Sequence, residues 1–268
     1  MIEINSREFL YKGDMGNGSV TSAKRSSTES KGLDRSESIS AKAEGDTIYR
    51  ILKESLEVDW REYVALVAKI RGSGPFAVLV GVILSQNTSD RNSIEAFLNL
   101  EKRVGTSLEK ILRSDVKEIE DAIKKAGLWR QKARTIKRAA EAIARMGGEE
   151  YLLKEDPSRL REFLTSIDGI GYKTADVFLS VVRGAPYFAV DTHAMRIAIR
   201  WGLASKRSYE EISKALLEFF GCERAEEAHR LLIALGRKYC KPRNPKCREC
   251  PVNMYCPAYR RSDTNKAS

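Results

Sequence analysis

Residues 164–193 read LTSIDGIGYKTADVFLSVVRGAPYFAVDTH. Apolar residues recur at helical spacing on both sides of Gly169-Ile170-Gly171, which makes the stretch a helix, a tight turn and a second helix. Lys173 lies just inside the second helix. Gly184-Ala185-Pro186 breaks that helix, and an Ala-Val-Asp-Thr-His run then places Asp191 at the start of the next one. A Gly-apolar-Gly turn that opens a helix presents backbone N–H groups to a phosphate. A lysine and a carboxylate across one helix from each other suit amine chemistry assisted by an acid–base or electrostatic partner. Taken singly, Lys173 also fits an ordinary first-turn surface lysine and Asp191 an ordinary helix N-cap.

Outward from this stretch the pattern stays helical, and the chain reads as all-α. Ile48, Ile51-Leu52 and Leu56, then Tyr63, Leu66-Val67 and Ile70, recur at helical spacing. Residues 76–84 are apolar all round, as in a core helix. The polar run Ser85-Gln86-Asn87-Thr88-Ser89-Asp90 follows, with Ser89 or Asp90 able to cap the next helix. Residues 107–126 form two short amphipathic segments ending at Gly127, and Leu128-Trp129 form a turn before another helix. Residues 149–158 read as a connector. Residues 1–45, rich in Ser, Lys, Glu and Gly, read as a disordered tail, and residues 261–268 as a second tail.

The chain has 268 residues, 42% of them apolar, which is enough to bury a core without disulfides. Its net charge of +10 favours a polyanionic partner, nucleic acid or an anionic membrane face. No apolar run is long enough to span a bilayer, and the N-terminus carries no signal-peptide core. The expectation is a soluble, intracellular monomer without membrane contact, in the cytoplasm or nucleoid of a prokaryote or the nucleus of a eukaryote.

Four of the five cysteines crowd near the C-terminus: Cys240, Cys247, Cys250 and Cys256, spaced C-x6-C-x2-C-x5-C among prolines. Such crowding fits a metal centre in a reducing compartment better than a disulfide framework. The candidates are zinc held by four sulfurs and a four-iron four-sulfur cluster. A single C-x2-C favours the cluster, since structural zinc sites commonly pair two such knuckles. Arg237, Lys238, Lys241, Arg243, Lys246 and Arg248 surround the loop and suit a phosphate backbone or an anionic cluster.

The cysteine spacing, the Gly-Ile-Gly turn, Lys173 and the Val-Asp-Thr-His run occur together in one order. That combination resembles the endonuclease III family of DNA glycosylases, in the helix-hairpin-helix glycosylase superfamily, over roughly residues 45–260. The resemblance implies a two-domain all-α fold with a C-terminal iron–sulfur cluster loop. Residues 68–185 would form a six-helix domain bearing the hairpin. Residues 46–67 with 186–260 would form the cluster-bearing domain, the [4Fe-4S] cluster being held by Cys240, Cys247, Cys250 and Cys256.

The implied activity is base-excision repair of double-stranded DNA containing damaged bases or abasic sites. Oxidised pyrimidines would be removed and the strand cut 3′ to the abasic site, by β-elimination through a lysine Schiff base. Lys173 matches the family's nucleophile and Asp191 its catalytic carboxylate. Leu128 matches an apolar wedge, and Gln86 or Asn87 a residue that fills the gap left by the flipped nucleotide. Gly169, Ile170, Gly171, Thr174 and His193 complete the expected DNA contacts. The chain departs from the family at Asp168, where proline is usual, and at Asn87, where glutamine is frequent. These departures bear on damage preference rather than reaction class. A single-function mismatch glycosylase shares part of the pattern, but such relatives typically lack the lysine. A noncatalytic DNA-binding module would need neither Lys173 nor Asp191.

Overall fold

The computed structural model describes residues 35–72 and 74–264, and among them there are fourteen α-helices and no strand. In chain order these are α1 (Arg35–Ser55), α2 (Val64–Ile70), α3 (Pro75–Ser85), α4 (Asp90–Arg103), α5 (Leu108–Arg113), α6 (Val116–Ala122) and α7 (Trp129–Arg145). Then come α8 (Glu149–Lys154), α9 (Pro157–Ser166), α10 (Tyr172–Arg183), α11 (Thr192–Trp201), α12 (Tyr209–Phe220), α13 (Ala225–Lys238) and α14 (Pro257–Thr264). No described helix is long and apolar enough to cross a membrane.

Two apolar cores organise these helices. The first is centred on α3, whose residues 76–84 are all buried. Around it pack Phe97 and Leu100 of α4, Ile136 and Ile143 of α7, Leu160 of α9 and Phe178 of α10. The second joins Ile48 and Leu52 of α1 to Ile197 of α11, Leu216 and Phe220 of α12, and Leu232 of α13. Val64, Ala65 and Ala68 of α2 belong to the first core, although the sequence reading grouped 46–67 with the C-terminal helices.

Three expectations need correction. Helix α1 begins at Arg35, inside the segment read as a disordered tail; residues 1–34 of that segment lie outside the described residues. Gly45, the last residue of that segment, lies inside α1 against α12. A Cβ there would sit 1.8 Å from the Phe219 carbonyl oxygen, so a bare glycine lets the helices meet. Residues 149–154 of the supposed connector form α8, whose Leu152 is buried in the first core. Glu149 also accepts the Phe76 N–H at 2.8 Å, a tertiary bond that composition does not reveal. The C-terminal tail is helical as far as Thr264, with 265–268 outside the described residues.

Candidate active site

Helices α9 and α10 form the expected hairpin. Gly169 sits at φ 95°, and a Cβ there would lie 2.1 Å from Thr135 Oγ1 of α7, so both backbone and packing demand glycine. Ile170 is buried in the first core and anchors the turn, its N–H donating to the Ile167 carbonyl at 2.9 Å. Gly171 differs: its φ is −96° and a Cβ would meet nothing within 4 Å. The bare backbone there faces open space beside the first turn of α10, whose N–H groups lack helical partners. Asp168 turns its exposed carboxylate to Arg138 at 2.9 Å, and Arg138 also donates to the Asp168 carbonyl at 3.2 Å. The carboxylate that replaces the usual proline is thus paired with a guanidinium beside the turn.

Lys173, exposed on the first turn of α10, lines a cavity of about 470 Å³. It makes no hydrogen bond or ion pair with the described residues. Asp191 lines the same cavity and caps α11, its Oδ1 accepting the Ala194 N–H at 2.7 Å. The two residues come from different cores, and Tyr209 of α12 fixes their relative placement. Its hydroxyl donates to Asp176 Oδ2 on α10 at 2.8 Å and accepts the N–H of Val190, the neighbour of Asp191, at 3.3 Å. Arg161 of α9 holds Asp176 with two bonds, at 2.6 and 3.0 Å.

Both histidines of the chain, His193 and His229, line this cavity. His229 escaped the sequence reading, because a lone histidine in an amphipathic helix carries no motif. Its Nε2 is fully enclosed, with no hydrogen-bond partner among the described residues. Burial pushes His229 down to about 4. Burial also works against the Asp191 carboxylate, but His229, the Ala194 N–H, Lys173 and His193 outweigh it and hold the carboxyl below its usual value. His193 is lowered mainly by burial, and its Nδ1 lies 3.1 Å from Arg196 Nη2. Since guanidinium only donates, that nitrogen accepts, which leaves the proton of the neutral ring on Nε2.

Gln86, Asn87 and Thr174 also line the cavity. The Gln86 amide donates to the Gly169 carbonyl and to Thr174 Oγ1, each at 3.0 Å, so it braces the hairpin. Asn87 is exposed and left-handed, at φ 47°. Leu128 does not line the cavity. It is 57% exposed at φ 49°, on an adjacent hollow with Arg134 and Arg138. A left-handed non-glycine residue costs about 1–2 kcal/mol, so both conformations are held in place by their surroundings.

The four cysteines line one hollow of about 200 Å³ beyond the C-terminal end of α11. Arg200 of α11 donates to Cys240 Sγ at 3.0 Å and to the Lys241 carbonyl at 2.9 Å, while Arg196 donates to the Cys240 carbonyl at 2.8 Å. Helix α11 therefore carries Asp191 at one end and grips the cysteine loop at the other. Among the described residues no three His, Cys, Asp or Glu side chains are arranged to hold a metal ion.

Residues 80–222 match the model of the HhH-GPD superfamily of base excision DNA repair proteins. The chain is 38% identical over 214 residues to endonuclease III of Sulfolobus acidocaldarius, covering 79% of this chain and 95% of that one. The chain belongs to the endonuclease III family. Solved structures agree with this membership. A non-covalent endonuclease III–DNA complex superposes with a TM-score of 0.65 at 25% identity, covering 87% of this chain and 99% of that one. A trapped endonuclease III–DNA covalent intermediate superposes with a TM-score of 0.61 at 27% identity, covering 82% and 98%.

Proposed function

We propose that this member of the endonuclease III family removes oxidised pyrimidines with Lys173 and Asp191. Family membership makes it a base-excision-repair DNA glycosylase acting on damaged duplex DNA, with the family's abasic-site lyase activity. The observation that carries the residue assignment is the shared cavity. A free lysine on one core and a carboxylate held ionised on the other open into the same space beside the hairpin.

In this reading the damaged nucleotide turns out of the duplex into the cavity. The Lys173 amine attacks C1′ with its lone pair, the C1′–N bond breaks, and the base leaves with the bonding pair and takes a proton from water. Asp191 takes the amine proton and stabilises the positive charge that develops on the sugar. The C1′–O4′ bond then breaks as Asp191 returns its proton to O4′, and the opened sugar is held as a protonated Schiff base on Lys173. Loss of a C2′ proton then expels the 3′ phosphate, and hydrolysis of the imine returns the lysine. Gly171 and the first turn of α10 grip a backbone phosphate, and His193 Nε2–H is free to donate to another. Asn87 and Leu128 fill the gap left by the flipped nucleotide, with Gln86 and Thr174 supporting the hairpin from behind. The two apolar cores are the two domains, with α2 on the hairpin side.

The cysteines fit a [4Fe-4S] cluster. Four thiols around one hollow supply the full donor set, and Arg200 already donates to one sulfur. Burial pushes the Cys250 thiol up to about 11 and raises the Cys247 thiol as well, with the neighbouring sulfurs adding to both, so a positive centre in the hollow would favour their thiolate forms. Cys240, Cys247, Cys250 and Cys256 would hold the cluster, which stiffens the loop and the basic residues around it.

Borohydride trapping over a panel of oxidised pyrimidine and abasic duplexes tests the chemistry. The native protein forms a covalent adduct, and Lys173→Gln abolishes it, with activity down by about a thousandfold or more. A native protein that yields no adduct on any of these duplexes overturns the lyase assignment. An adduct that persists in Lys173→Gln moves the nucleophile elsewhere.

A further inference from the structure

The described residues include three non-glycine positions with a left-handed backbone, and two of them, Asn87 and Leu128, flank one buried ammonium. Lys132, on α7, is 3% exposed. Its Nζ donates to Thr88 Oγ1 at 2.5 Å, just after Asn87, and to the Ala126 carbonyl at 2.5 Å, just before Gly127-Leu128. A further bond runs to the Leu84 carbonyl at 2.8 Å, near the end of α3. Three N–H donors thus meet three oxygens, and none is left over. The Thr88 hydroxyl also bonds to the Ala126 carbonyl, and a Cβ at Gly127 would lie 3.7 Å from Thr88 Oγ1, so the two loops already touch. The Lys132 N–H in turn donates to the Leu128 carbonyl at 3.1 Å. Burial pushes the ammonium down to about 8, and the surrounding oxygens favour its charged form.

We propose that Lys132 is a positioning residue for duplex opening. It fixes Asn87 and Leu128 as a rigid pair of prongs at a set separation, so that both enter the DNA together. This rests on the reading above that the two residues enter the gap. A buried cation placed only to fill the first core would need no link to either loop. Lys132 instead spends two of its three bonds on the loops that carry the strained residues. Rigid prongs make opening cheap, because the loops lose little freedom on binding. The chemistry at Lys173 and Asp191 does not involve Lys132, so its loss falls on duplex opening.

The test uses full-length Lys132→Met, Lys132→Arg and Thr88→Val, with Leu128→Ala alongside. Each is assayed on an abasic site in duplex and in single-stranded DNA, and by the fluorescence of 2-aminopurine placed beside the lesion. Lys132→Met lowers duplex kcat/KM by about 30-fold and suppresses the fluorescence rise, while the single-strand reaction stays within about threefold of native. Lys132→Arg recovers part of the duplex activity. Thr88→Val removes one anchor and gives the same pattern at about three- to tenfold, which keeps the test decisive if Lys132→Met does not fold. Equal losses on both DNA forms, or no loss on duplex, overturn the proposal. If Leu128→Ala leaves the fluorescence rise intact, the insertion reading fails and the proposal fails with it. If Leu128→Ala suppresses the rise and Lys132→Met does not, the clamp alone is wrong.

Discussion

Lys132 and Lys173 stand in the first turns of two helices, α7 and α10, and both reach the loops around one cavity. Their surroundings are opposite. Lys132 is enclosed, with an oxygen for each of its protons. Lys173 is exposed and bonds to none of the described residues, with a carboxylate and two histidines facing the same space. The difference lies in unused bonding capacity. A lysine whose donors are all spent shapes backbone, whereas one left unbonded keeps its nitrogen open to a substrate. Sequence position near a helix start does not tell the two apart.

The region around Lys173 should break first when its electrostatics change. Asp191→Asn keeps an N-cap of about equal quality, so the fold should hold while glycosylase turnover falls by about a hundredfold or more, measured in single-turnover assays. A loss under tenfold would remove Asp191 from the chemistry.

Acid provides the next contrast. A histidine held down to about 4 resists protonation in the folded state, while the unfolded chain protonates near 6.5. Stability is therefore full above 6.5 and falls as pH drops towards 4, by on the order of 3 kcal/mol. Asp191, held below its usual value, adds a loss of the same sign at lower pH. Denaturant melts of His229→Gln should show a flatter slope between pH 6.5 and 4. An unchanged slope would place the acid sensitivity elsewhere.

The two glycines of the hairpin divide along the same line as the lysines. Gly169→Ala should cost about 2–4 kcal/mol, from its positive φ and its contact with Thr135. Gly171→Ala should leave the melting temperature alone, since a Cβ there meets nothing, and on the proposed phosphate contact it should weaken DNA affinity by a few-fold. Reversed outcomes would put the phosphate contact at the wrong glycine. The smallest effect is expected at Asp168→Ala: its pair with Arg138 is exposed, so stability should change by about 0.5 kcal/mol or less. Freeing Arg138 should strengthen salt-sensitive DNA binding slightly, which a salt titration of affinity would register.

Much of the fold is legible in the sequence because it depends on local pattern. The all-apolar run at 76–84, the Gly-Ile-Gly turn and the Pro157 start of α9 each carry a local cause. The misread segments depend on distant partners. Gly45 is a helix breaker by propensity, but it is tolerated in α1 because α12 needs the space. Helix α8 is short, and it is stabilised by burying Leu152 and by bonding Glu149 to the start of α3. His229 and Lys132 carry no motif, and only burial and partners distinguish them from surface residues.

The sequence alone pointed to the family and the helical class, and it nominated the lysine and carboxylate pair and the cysteine set. Those follow from residue type and spacing, which local chemistry constrains. The tertiary structure decided which residues share a cavity, that Gln86 braces while Asn87 is exposed, and that Asp168 is paired with Arg138. It also decided that one buried ammonium ties the loops of Asn87 and Leu128 together. Those outcomes depend on which polar groups meet across the packed cores and which are left free, and only the assembled fold fixes that.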